Sequence, residues 1–197
     1  MGGIGEKNPM SILILNGSPK KSGYTSRTIK IIADNIDKDK DVEWIDVYGL
    51  NIKPCIGCMK CRPDGVCVLP ADDGHRVGKK ISAARALVVG TPTYWGNMSG
   101  PLKVLFDRNV PVFEYIGKGF PIPRQKGKKA IIVTAAASPW PYSLLGSQAG
   151  GTIRALRTVL QSGGYRILGS ICISGTMNSK EITGSTIRQA QKLARRL

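Results

Sequence analysis

Four of the five cysteines of this 197-residue chain stand in one short segment. Cys55-Ile56-Gly57-Cys58-Met59-Lys60-Cys61 is followed, after five more residues, by Cys67. A run of the form Cys-x2-Cys-x2-Cys can wrap three corners of an iron–sulfur cubane, which takes four thiolates. The intervening Pro63-Asp64-Gly65 is a turn that brings Cys67 back toward the same centre. Zinc favours two separated Cys-x2-Cys pairs, a different layout. The pattern leaves four readings open: a [4Fe–4S] cluster, free or redox-active thiols, zinc, or a disulfide. Cys172, flanked by Ile171 and Ile173, reads as a small buried hydrophobe. His75, the only histidine, reads as a surface residue at a helix start. Asp107 and Arg108 read as a helix-end ion pair.

Three further segments carry chemistry. Gly17-Ser18-Pro19-Lys20-Lys21-Ser22-Gly23-Tyr24-Thr25-Ser26 joins a buried strand to a helix start, so its hydroxyls and backbone N–H groups suit a phosphate. It is neither a Walker A loop nor a Gly-x-Gly-x-x-Gly dinucleotide fingerprint, which leaves a single terminal phosphate as the best match. In Thr91-Pro92-Thr93-Tyr94-Trp95-Gly96-Asn97 two aromatics precede a glycine, which allows close backbone approach to a flat ring. Ala137-Ser138-Pro139-Trp140-Pro141-Tyr142 is placed to wall the opposite side.

The elements that must position these segments alternate. Apolar strand patterns at 10–16, 42–47, 86–90, 129–134 and 165–174 are interleaved with helical ones at about 25–37, 72–84, 99–106, 148–162 and from 178 onward. That alternation predicts an α/β fold, a five-stranded parallel sheet with helices on both faces, and ligands at the carboxyl ends of its strands. Residues 110–127, rich in Gly, Pro and Lys, read as a long irregular connection. Residues 1–9 read as an N-terminal extension, and 10–197 as one domain with a cysteine-rich insertion at about 53–70.

Composition excludes disorder, with 42% hydrophobic and 21% charged residues. No apolar run spans a bilayer and the start lacks a signal-peptide core, so a cytoplasmic protein without a membrane partner is expected. The net charge of +16 is concentrated late: of 13 acidic residues only Glu114 and Glu181 follow residue 109. Such a field attracts anions. Aromatics are not interleaved with the basic residues, and no nucleic-acid motif is present, which argues against a nucleic-acid partner.

Gly17-Ser18-Pro19, Gly23-x-Thr25-Ser26, the cysteine run, and Thr91-Pro92-Thr93-Tyr94-x-Gly96-x-Met98-Ser99-Gly100-x-Leu102-Lys103 with Phe106-Asp107-Arg108 together resemble the flavodoxin-like NADPH-dependent FMN reductases. The cysteine spacing resembles their iron–sulfur flavoprotein branch. The resemblance implies a flavodoxin-like three-layer sandwich binding FMN. Ser18, Lys20, Ser22, Thr25 and Ser26 would hold its phosphate. Thr91, Pro92, Thr93, Tyr94, Trp95, Gly96 and Asn97 would contact the ribityl chain and ring, with Ser138 and Trp140 opposite. Cys55, Cys58, Cys61 and Cys67 would be the metal ligands. Tyr24 departs from the asparagine common there. The resemblance further implies an NAD(P)H-dependent oxidoreductase with no side chain as general base. Its partners would be small-molecule or protein electron donors and acceptors such as quinone or flavin. The assembly would be a homodimer or homotetramer whose flavin pocket is completed by a second subunit. Two other functions compete: a non-enzymatic, flavodoxin-like electron carrier, and a zinc-stapled nucleic-acid-binding module.

Overall fold

Strands buried on both faces should be apolar throughout rather than alternating, and this is how the sheet is built. The computed structural model describes residues 11–62, 65–144, 148–177 and 181–197. The expected extension at 1–9, Met10, the turn residues Pro63 and Asp64, and residues 178–180 lie outside those described. In chain order the elements are β1 (Ile12–Asn16), α1 (Tyr24–Asp34), β2 (Val42–Asp46), α2 (Asp73–Ala83), β3 (Ala86–Pro92), α3 (Gly100–Arg108), α4 (Val110–Phe113), β4 (Glu114–Gly117), β5 (Phe120–Pro123), β6 (Lys129–Ala135), α5 (Ala149–Ser162), β7 (Arg166–Ile173) and α6 (Gly184–Ala194). The main sheet is parallel, in the order β2-β1-β3-β6-β7. It is the flavodoxin-like arrangement.

Successive residues of each strand serve opposite cores. Leu13, Leu15, Leu87, Val89, Ala130 and Ile132 pack with α2, α3 and α5. Ile12, Ile14, Val88, Ile131 and Val133 pack with α1 and α6. The strand order reverses between β1 and β3, the switch point at which such sheets open a crevice. There the chains are drawn close: Gly17 N–H donates to the Gly90 carbonyl at 2.7 Å, and a Cβ on Gly17 would lie 3.0 Å from that oxygen.

The expected irregular stretch at 110–127 is instead a short helix followed by an antiparallel hairpin, β4 with β5. Lys118 and Gly119 both have positive φ, the two-residue turn whose twist suits a hairpin. Pro121 and Pro123 hide the strand in the sequence, yet a two-stranded ribbon is all edge, where proline is tolerated. Ser99 sits at the N-cap of α3 as expected, but its hydroxyl makes no cap. It donates to the Gly17 carbonyl at 2.7 Å, joining the first two loops.

Truncation of Ile132, fully buried at the middle of β6, leaves a cavity between the sheet and α5. I132A should cost about 2–5 kcal/mol of unfolding free energy, read from the midpoint of urea denaturation at unchanged m-value.

Candidate functional site

Asn16, 1% exposed at the end of β1, organises the first loop. Its Oδ1 accepts from Ser18 N–H at 3.3 Å and lies 3.2 Å from the Ser26 hydroxyl, while its Nδ2 donates to Asp46 Oδ1 at 2.8 Å. Lys20 N–H donates to Ser18 Oγ at 3.2 Å, and the Lys20 carbonyl receives Ser26 Oγ at 2.8 Å. Ser18 and Ser26 therefore close the loop upon itself. Thr25 is buried, whereas Lys20 and Ser22 stand exposed at the rim. Helix α1 starts at Gly23 with no side-chain cap, so the backbone N–H groups of its first turn remain available to an anion.

The second loop leaves β3. Thr91 is buried, and its hydroxyl accepts from Ser99 N–H at 2.9 Å. The Thr93 hydroxyl lies 3.0 Å from that of Thr134 and 3.1 Å from that of Thr152, a chain of hydroxyls across two strand ends and α5. Tyr94 and Asn97 exchange two backbone hydrogen bonds of 2.9 Å around Trp95 and Gly96, at φ 52° and 71°. Positive φ on a tryptophan is strained, and such strain collects at functional loops. The turn can lie this close to α5 because the residue under it is a glycine: a Cβ on Gly151 would sit 2.4 Å from the Gly96 carbonyl oxygen. The Trp95 side chain is fully exposed, and Trp140 and Tyr142 of the third loop are exposed too. Ser138 Oγ is buried without a hydrogen-bond partner among the described residues. Burial, reinforced by Tyr94 nearby, pushes the Tyr48 phenol above its ordinary pKa, against a Ser99 hydrogen bond that lowers it.

The predicted FMN contacts thus fall into two sets. Lys20, Ser22, Tyr94, Trp95 and Trp140 present side chains outward at the strand carboxyl ends, Asn97 is exposed but turns its Oδ1 back to the Met98 N–H at 2.8 Å, and Ser18, Thr25, Ser26, Thr91 and Thr93 turn inward to build the loops. Pro92 ends β3, and Gly96 supplies backbone to the turn. An uncapped helix start and an orphaned buried hydroxyl fit a group that brings a phosphate and hydrogen-bonding edges of its own.

The cysteine segment lies between β2 and α2. Cys55, Cys58, Cys61 and Cys67 line one cavity of about 100 Å³ with an apolar collar that includes Ile56, Val68 and Leu69. Gly57 and Met59 have positive φ, which bends the run tightly. Gly57 N–H donates to Cys55 Sγ at 3.5 Å. All five thiols of the chain are free in this structure. Burial first, opposed by the Cys61 backbone hydrogen bond and Arg62, pushes the Cys61 thiol up. Among the described residues no three His, Cys, Asp or Glu side chains are grouped tightly enough to hold a metal. The donor set matches a cluster in number, type and shared cavity, and its thiols must converge to grip one.

What holds this segment in place was not legible in the sequence. Arg108 pairs not with Asp107, which takes Lys103, but with Asp72. Its Nη1 donates to Asp72 Oδ2 at 2.9 Å and to the Lys53 carbonyl at 2.6 Å; its Nη2 donates to Asp72 Oδ1 at 3.3 Å. Asp72 also accepts from Lys53 N–H at 3.1 Å and caps α2 by accepting from Gly74 N–H at 2.9 Å. Burial alone would raise the Asp72 pKa; the Lys53 N–H, Arg108 and the Gly74 N–H together hold it below the ordinary value. His75 is not a bland surface residue. Its Nδ1 completes the capping box with Asp72 N–H, which leaves Nε2 to donate to the Cys67 carbonyl at 3.0 Å. Arg62, within the segment, reaches Glu114 of β4 at 3.0 Å. Cys172 is half-buried rather than fully buried, 3.7 Å from the Ser174 hydroxyl.

Comparison with known proteins matches residues 10–169 to the family described as NADPH-dependent FMN reductase. An iron–sulfur flavoprotein of Clostridioides difficile strain 630 is 29% identical over 190 residues, covering 95% of this chain and 77% of that protein. One from Archaeoglobus fulgidus is 40% identical over 101 residues, a match spanning 51% of this chain and 49% of the relative. Among solved structures, an FMN-dependent NADH-azoreductase from Bacillus anthracis in complex with FMN superposes with a TM-score of 0.70 at 14% identity, over 93% of this chain and 97% of that one, a likeness of fold.

Two substitutions probe this geometry. Removing one partner of the Arg108–Asp72 pair leaves the other buried charge with backbone partners only, so R108M or D72N should each cost up to about 3–5 kcal/mol, with the double variant losing less than their sum in a denaturation cycle. In G151A the methyl meets the Gly96 carbonyl. The variant should lose stability by about 1–3 kcal/mol, although alanine is the better helix former, and titration with FMN should show weakened affinity.

Proposed function

The chain belongs to the NADPH-dependent FMN reductase family, and from that premise we propose that it is an FMN-bound oxidoreductase. It would take reducing equivalents from NAD(P)H and pass them to an acceptor through a [4Fe–4S] cluster held by Cys55, Cys58, Cys61 and Cys67. FMN, when bound, accepts a hydride as two electrons and releases them singly; a cubane cluster relays single electrons.

The chain's own residues supply position and field. The first turn of α1 would receive the FMN phosphate, with Lys20 and Ser22 closing over it. The strained Tyr94–Asn97 turn would offer its backbone to the ring, and Ser138 would lend its unpartnered hydroxyl from the facing loop. No side chain here needs to act as a general base, because hydride transfer moves no separate proton. The exposed Trp95, Trp140 and Tyr142 around the loops favour a second subunit completing the pocket. Among the described residues no helix is long and apolar enough to cross a membrane; we place the protein in the cytoplasm, where thiols stay reduced.

The observation that carries this reading is the presence, in the loops at the carboxyl ends of β1, β3 and β6, of an uncapped helix start, a left-handed aromatic turn and an orphaned buried hydroxyl. Anaerobically purified protein should hold about one FMN per chain, iron and sulfide at about four each, and oxidise NADH or NADPH with quinone or free flavin. C58S should lose the iron and keep the flavin. Colourless protein that refuses added FMN would sink the proposal. Zinc in place of iron would overturn the cluster alone.

A further inference from the structure

A groove of about 810 Å³ lies away from the strand-end loops, between α2, the α3–α4 corner and the end of the cysteine segment. Two described residues line both it and the small thiol cavity: Cys67 and Arg108. The groove is therefore the outer face of the wall whose inner face meets the thiols. Its volume falls in the range of small-molecule sites, about 300–1,000 Å³. Val66, Pro111 and Val112 give it apolar walls, and Lys79 and Arg124 give it positive charge, the Arg108 charge on the shared wall being matched by Asp72. No Asp or Glu is among its described lining residues. Arg124 is held over the Tyr115 ring, 4.6 Å from the centroid, so its charge is positioned rather than loose.

We propose that this groove binds an anionic aromatic molecule, and that it is where a carboxylated or sulfonated quinone docks as electron acceptor, against Cys67. Apolar walls strip water from a flat ring system, and a positive field in that low-dielectric setting favours an anionic substituent. Binding is a property of the groove itself; the acceptor role rests on the cluster reading above. In the overall reaction NAD(P)H gives a hydride and solvent one proton, and the quinone leaves as its hydroquinone.

The test uses anthraquinone-2-sulfonate and its uncharged 2-hydroxymethyl analogue, whose rings do not alkylate thiols. Calorimetric titration of the FMN-saturated full chain should give one sulfonate site. K79E/R124E should weaken it at least tenfold while moving the uncharged analogue less than threefold. K79E alone gives a smaller loss of the same sign should the double variant fold poorly by circular dichroism. K192E/R195E makes the same charge change on α6, across the sheet, and should leave sulfonate binding within twofold. Unchanged sulfonate affinity in K79E/R124E, equal losses for both ligands, equal losses in the α6 variant, or no binding at all overturns the inference. Seating against the flavin loops, or occlusion of the groove by a second copy of the chain, shows as one of these results. Repeating the titration on iron-free protein separates the two claims. Charge-dependent binding in a chain that never carries iron upholds the groove and ends the cluster reading; an iron-loaded chain that ignores the sulfonate does the reverse.

Discussion

A guanidinium that is 3% exposed must find partners or unfold its surroundings. Arg108 meets that requirement with the Lys53 carbonyl and the Asp72 carboxylate. Those two groups stand at the two stems of the cysteine segment. The desolvation cost of one charge is thus converted into a geometric rule: the segment can wander only between fixed ends. Asp72 doubles as the cap of α2, so the stem and the helix register are set together. His75 extends the tie to the Cys67 carbonyl. A loop with little regular structure of its own gains its order from three side chains outside it.

The flavin end of the molecule uses a different device. Its loops are tied by short polar bonds rather than by charge, from Asn16 to Ser18 and Ser26, and from Ser99 to Gly17 and Thr91. These consume hydroxyls that the sequence suggested would face a phosphate. What remains for a ligand is mostly backbone, which fits a site built for close approach and fixed dipoles. Gly151 beneath Gly96 is the counterpart of this choice. The strained turn closes on its own two backbone hydrogen bonds, and it can rest on α5 because a side chain is missing there.

The fold was legible because strand and helix periods are strong in this chain. Ile12 to Leu15 and Ala130 to Val133 can hardly be anything but strands buried on both faces, and the helices between them show clear apolar stripes. The thiol cluster was legible because cysteine spacing survives in one dimension. The β4–β5 hairpin was hidden by its prolines and by a Lys-Gly turn of low sequence signal. The partner of Arg108 was hidden because it lies 36 residues away, while Asp107 beside it offered a false local choice. The role of Asn16 was hidden in the same way: a strand-end Asn-Gly reads as a turn, and only the parallel pairing of β1 with β2 brings Asp46 beside it.

The large positive charge has a related explanation. Several of its members end on backbone carbonyls rather than in solvent. Lys128 reaches Ser82 at the end of α2, Lys129 reaches the carbonyls of Arg196 and Leu197, and Arg196 reaches Leu168 on the edge strand β7. Each satisfies acceptors that a helix end or a sheet edge would otherwise leave open. Cations used this way stabilise termini and contribute little to selecting a partner. The net charge alone is therefore a poor guide to what the protein binds. The informative cations are those gathered beside apolar surface with no carboxylate lining the same space, and the groove behind Cys67 meets that description.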